Sequence, residues 1–147
     1  PSIPLKFCFG IVQLALGFLV TKVGLQFVNE SFHVPFLTLV FLYMLHTTGE
    51  LFLSPIGLSM VTKLSPKSMA GTAMGAWFLS FAIANYVGGK IAAITGGHGG
   101  SDEAMSIGEG LNQYLDIFST IGYVLLGIAL IIFLLNKPIK KLMHGVE

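Results

Sequence analysis

Residues 36–61 read FLTLVFLYMLHTTGELFLSPIGLSMV. A run this long and this apolar has the dimensions of a membrane-crossing helix, which needs about 20 residues. It does not alternate as a barrel strand does, and an open sheet edge cannot face lipid. One cluster breaks the apolar rule: His46, Thr47, Thr48, Gly49 and Glu50, followed shortly by Ser54 and Pro55. Counting from Phe36 puts Glu50 near the middle of the span. A charge there costs about 3 kcal/mol on insertion scales.

Three further stretches have the same character, at about residues 5–27, 68–94 and 114–135. With 36–61 they predict an all-α membrane protein of four transmembrane helices. Composition agrees: 54 % of residues are hydrophobic and 10 % charged, against roughly a quarter charged in soluble chains. Lysine supplies all eight basic residues, and seven acids nearly balance them. The clustered basic footprint of a nucleic-acid-binding protein is missing. The single Cys8 lies inside an apolar stretch and fixes no redox compartment. The chain opens at Pro1, and its first apolar stretch is too long for a signal peptide. It is therefore expected to be a piece of a longer chain.

The connectors are expected at Asn29–Pro35, Lys63–Lys67 and Gly96–Asn112, with Pro35 placed to open the second helix. The third connector is rich in Gly but lacks the G-x-x-x-x-G-K-[ST] spacing of a phosphate cradle, and no strand precedes it. No cofactor or metal is expected. Lys6, Lys63, Lys67, Lys137, Lys140 and Lys141 fall on one side of a four-span alternation, which places that side and both termini in the cytoplasm. Lys22 and Lys90 lie toward the other side, where they can snorkel. Gly71, Gly75, Gly88 and Ala92 form a small-residue stripe on the third helix, expected to pack against a neighbour.

The polar cluster carries the functional reading. His46, Glu50 and Ser54 are four apart and are expected to stack on one helix face. Pro55 withholds an N–H from the carbonyl of Leu51, so a break in the helix is expected beside Glu50. Such a group at membrane depth marks a solute pathway or a proton-handling site. The competing reading is a protonated Glu50 hydrogen-bonded to a neighbouring helix as packing glue. His46 is either a proton relay or a neutral imidazole bonded to a backbone carbonyl. Trp77, followed by Phe78, is too deep for the interfacial belt; it lines a ligand cavity or seals a helix contact. An intramembrane serine enzyme is excluded, because thirteen helical residues put Ser59 about 19 Å from His46.

The run from Gly49-Glu50-Leu51-Phe52-Leu53-Ser54-Pro55 to Ser65-Pro66 resembles the tenth helix of the proton-coupled oligopeptide transporters, of the major facilitator superfamily. Met74-Gly75-Ala76-Trp77-Phe78-Leu79-Ser80, with Asn85-Tyr86, resembles their eleventh. The first and fourth helices match only as apolar spans in the right order, nine and twelve. The resemblance implies the C-terminal part of a fold of two six-helix bundles, with proton-coupled symport of di- and tripeptides across the cytoplasmic membrane. It implies that Glu50 meets the peptide amino terminus, that Ser54 lies beside it, and that Trp77 with Phe78 lines the side-chain pocket. The family's E-x-x-E-R proton-coupling motif belongs to the N-terminal bundle, which is absent from this sequence. His46 has no counterpart in the family pattern. Without the resemblance, the residues also allow a four-helix channel or accessory subunit with Glu50 as structural packing.

Overall fold

The computed structural model describes residues 2–28, 33–95 and 107–143. Among them there are only helices: α1 (Ile3–Gly24, continued by a 3-10 turn at Leu25–Phe27), α2 (Phe36–Leu64), α3 (Ala70–Thr95), α4 (Ile107–Leu134) and the short α5 (Asn136–Leu142). Three are long and apolar enough to cross a membrane: Ile3–Phe27, Phe36–Leu64 and Gly108–Leu134. The 26-residue α3 has the length but is diluted by Gly, Ser, Thr, Asn, Lys, Trp and Tyr, so apolar character alone establishes three crossings rather than the expected four.

The helix ends follow local chemistry. Pro4 sits in the first turn of α1, where its missing N–H costs nothing. Pro35 caps α2 and accepts a hydrogen bond from the Thr38 N–H at 2.9 Å. Ser65 ends α2 in extended geometry, which the following Pro66 favours. Pro55 lies inside α2 without interrupting it. The expected break is therefore corrected: one lost hydrogen bond does not end a helix whose flanking turns are complete. α4 begins at Ile107, so the second part of the expected Gly96–Asn112 connector is helical. Residues 96–106 lie outside the described residues, as do 29–32 of the first connector, with Glu30, Asp102 and Glu103.

α1 is the hub, with α2 along one side and α4 along the other. Two heptad-spaced stripes of small residues make this possible. Gly10, Gly17 and Gly24 face α2: Gly17 receives His46 and Gly24 receives Thr38. At Gly10 the two backbones meet. A Cβ there would lie 3.1 Å from the Gly49 carbonyl oxygen, and one on Gly49 would lie 2.9 Å from the carbonyl oxygen of Gly10. On the other side, Cys8 donates a weak hydrogen bond to the Ala129 carbonyl at 3.3 Å. Ala15 is wholly buried, and Gly122 admits Leu19. Seven-residue spacing keeps such a seam on one face over several turns, and close backbone approach is how helices gain packing in lipid.

The stripe expected to pack on α3 does not. Among the described residues a Cβ on Gly71, Gly75 or Gly88 would meet nothing within 4 Å. α3 touches α2 chiefly where Trp77 covers Gly57, and residues 78–90 are all exposed. Among the described residues no large side chain is fully buried, while Phe36, Leu37, Tyr43, Leu51 and many others stand open. An apolar surface this extensive needs lipid or further helices around it.

The α1–α2 seam predicts a sign reversal between two glycines. Alanine is favoured over glycine in a helix by about 1 kcal/mol, so Gly127→Ala, whose Cβ has open space around it, should hold or slightly raise Tm in the intact protein. Gly49→Ala should lower Tm, because forcing two backbones apart costs about 1–3 kcal/mol. Equal Tm values for the two variants, by thermal unfolding in detergent, would show that the seam is not tight.

Candidate functional site

Glu50 has fourteen residues of α2 on each side, 36–49 and 51–64. It opens into a shallow groove of about 270 Å³ lined by Thr47, Glu50, Leu51, Ser54 and Pro55. The face of α2 turned toward α1 carries Thr38, His46, Gly49 and Leu53. Glu50 follows Gly49 by 100° of helical rotation and so turns away from that seam. Its side chain is exposed. Among the described residues no hydrogen bond or ion pair engages its carboxyl. Several other polar groups of the helices are satisfied by their own helix. Thr48 donates to the Met44 carbonyl at 2.8 Å, Ser80 to that of Trp77 at 2.6 Å, and Asn85 to that of Phe81 at 2.9 Å.

His46 does not share the groove. Its imidazole fills the notch over Gly17 and stacks against Phe18 with ring centroids 4.6 Å apart. Its buried Nε2 has no hydrogen-bond partner among the described residues. The expected stack of His46, Glu50 and Ser54 thus divides, because a four-residue step advances 40° around the helix and the α1 seam claims the His46 edge.

Trp77 also finds a helix contact, its indole lying over Gly57. Gly57 is seven residues beyond Glu50, so the two occupy one stripe of α2 about 10 Å apart along the axis. Trp77 packs edge-to-face on Phe81 at 6.2 Å, and Phe78 leans on the same ring at 6.3 Å. Phe78 is 58 % exposed. Neither Trp77 nor Phe78 lines the Glu50 groove, which α2 forms alone. Phe81, the common partner, was not singled out by sequence reading, although its four-residue spacing from Trp77 was a usable signal. No cluster of three or more potential metal ligands occurs among the described residues.

Comparison with known proteins supplies the context. Residues 1–105 match the model of the POT family. The chain is 36 % identical over 142 residues to the dipeptide and tripeptide permease A of Edwardsiella piscicida, covering 97 % of this chain and 29 % of that protein. It is 38 % identical over 139 residues to the permease of the same name from Yersinia pestis, covering 95 % and 27 %. It is 33 % identical over 145 residues to the dipeptide and tripeptide permease B of Aeromonas hydrophila, covering 98 % and 28 %. The chain thus spans under a third of the length of these relatives.

The placement of His46 yields a test. His46→Gln in the intact protein should lower Tm, since the notch over Gly17 is then filled by a flexible, non-aromatic side chain. The pH profile of transport should keep its shape. A displaced profile with unchanged Tm would return His46 to proton handling.

Proposed function

The chain belongs to the POT family, a family of transporters and not of enzymes, and on that premise we propose that it supplies part of the C-terminal half of a proton-coupled symporter of di- and tripeptides. In this reading α1 to α4 are helices nine to twelve, all four crossing the cytoplasmic membrane, and an N-terminal bundle of the same protein completes the site. The proton-coupling residues then lie outside this chain. The relatives named as dipeptide and tripeptide permeases supply the substrate class.

The observation that carries the proposal is an exposed carboxyl group at the midpoint of α2. A peptide ammonium and a carboxylate each lose hydration on entering a low-dielectric cavity, and their attraction helps offset both losses. Ser54, one turn on in the same groove, offers a hydroxyl beside the pair. Trp77 and Phe78, on α3, border the peptide side chains, Trp77 from over Gly57, two turns of α2 beyond Glu50. The peptide carboxylate is held by the missing bundle, and access alternates as one bundle rocks on the other.

Orientation follows from the lysines. The starts of α1 and α3 and the ends of α2 and α4 share one end of the bundle, with Lys6, Lys63, Lys67, Lys137, Lys140 and Lys141 on it, and this end faces the cytoplasm. An impermeant thiol reagent applied to intact cells should therefore leave a cysteine introduced at position 65 unlabelled; labelling there would reverse the orientation.

Removing the charge while keeping the shape tests the role of Glu50. In the full-length protein, Glu50→Gln should fold normally and take up free-amine dipeptides about thirtyfold more slowly or worse, the scale of losing one partner of a desolvated pair. Matched dipeptides with an acetylated amino terminus carry no ammonium and should lose far less, from a poor baseline. Undiminished free-amine uptake by the variant would falsify the recognition role and leave Glu50 as structural packing.

A further inference from the structure

We propose that Gly57 is a positioning residue that sets the room available to peptide side chains, acting through the indole of Trp77. This inference rests on the peptide-transport reading and adds to it the part of the chain that decides which side chains fit. Gly57 is buried where α3 meets α2. The three atoms nearest to a Cβ built on it all belong to the outer edge of the six-membered ring of Trp77: Cη2, Cζ2 at 2.5 Å and Cζ3 at 3.1 Å. The indole thus rests directly on the backbone of α2, closer than any side chain at position 57 would allow.

Alanine at position 57 would displace the ring. At Gly49 the nearest obstacle is the backbone of α1, but at Gly57 it is the tip of a side chain, so the indole gives way rather than the helices. Phe81, one turn on, packs edge-to-face on the ring at 6.2 Å, and Phe78 braces Phe81 at 6.3 Å. The three aromatic side chains therefore shift together. α3 returns antiparallel to α2 after residues 65–69. With Trp77 opposite Gly57, Phe81 stands opposite Leu53, nearer the level of Glu50. An indole raised from Gly57 moves away from α2 and crowds Phe81, into the space where the proposed function puts the peptide side chains. The volume of the methyl group added on α2 is taken from the substrate's side of the ring.

The test measures kcat and KM for uptake of alanyl-alanine and phenylalanyl-alanine by the full-length transporter in proteoliposomes. In Gly57→Ala the ratio of kcat/KM for the small peptide to that for the bulky one should rise about tenfold, the scale of one methylene in a pocket, mainly through a higher KM for the bulky peptide. Gly57→Ala/Trp77→Phe should show the same ratio as Trp77→Phe alone, because a phenyl ring lacks the outer edge that the Cβ meets. Gly127→Ala, whose Cβ has open space around it, should keep the wild-type ratio. A role in packing alone predicts equal losses for both peptides; uptake of both with an unmoved ratio would overturn this inference and leave the transport reading standing. A Gly57→Ala effect that persists in full on the Trp77→Phe background would overturn it as well. Should Gly57→Ala fail to fold, Trp77→Phe should rescue folding and the ratios of the double variant and Trp77→Phe should match; a double variant that also fails to fold, or a size-dependent difference between those two, would overturn the proposal. A wild type that takes up neither peptide would overturn the transport reading and this inference with it.

Discussion

A carboxyl group at the midpoint of a membrane helix is the constraint around which the rest of this chain is arranged. Hydrocarbon offers it no hydrogen bond and no counter-charge, so it is tolerated only where protein or water receives it. In this chain α1 and α4 do not receive it. The α1–α2 seam passes beside Glu50 through Gly49 and turns the carboxyl outward, toward a groove that α2 alone lines. What faces that groove in the intact protein decides whether Glu50 is used for recognition.

The seam itself depends on absence of side chains. Gly10 and Gly49 bring two backbones into contact, Gly17 makes room for an imidazole, and Gly24 for a threonine. On the far side of α1, Cys8 and Ala15 repeat the same seven-residue step against Ala129 and Gly122. α1 is thereby locked between α2 and α4, and α2 cannot rotate to hide Glu50 without driving His46 out of its notch. Rigid placement of a polar group by close helix packing is what a binding surface on a helix requires.

Much of this was legible in the sequence. The apolar runs located α1, α2 and the deeper part of α4, because hydropathy reads the segment that lies in hydrocarbon. It does not read the more polar turns at a helix end, which is why α4 starts seven residues before the expected Tyr114 and why the lysine-rich α5 went unseen. The groove residues Glu50, Thr47 and Ser54 stood out by their cost. The assignment of His46 to the same face did not survive, since a strict four-residue count drifts around a helix of 3.6 residues per turn. Glycine stripes misled in the other direction: four-residue spacing drew attention to α3, whose glycines meet nothing among the described residues, while the heptad-spaced Gly10, Gly17 and Gly24 that hold the bundle were passed over. Spacing identifies a possible seam, and only the partner helix decides which one is used.

The claim at the centre of this account is that Glu50 receives the amino terminus of a transported peptide. Its most direct measure is an experimental structure of the intact transporter with a bound dipeptide, read as the distance from the peptide amino nitrogen to the nearer Glu50 carboxyl oxygen. A separation within about 4 Å, the reach of an ion pair, is the predicted result. An amino nitrogen more than about 6 Å away, beyond the range at which opposite charges stabilise one another directly, with Glu50 hydrogen-bonded to a neighbouring helix, would contradict it.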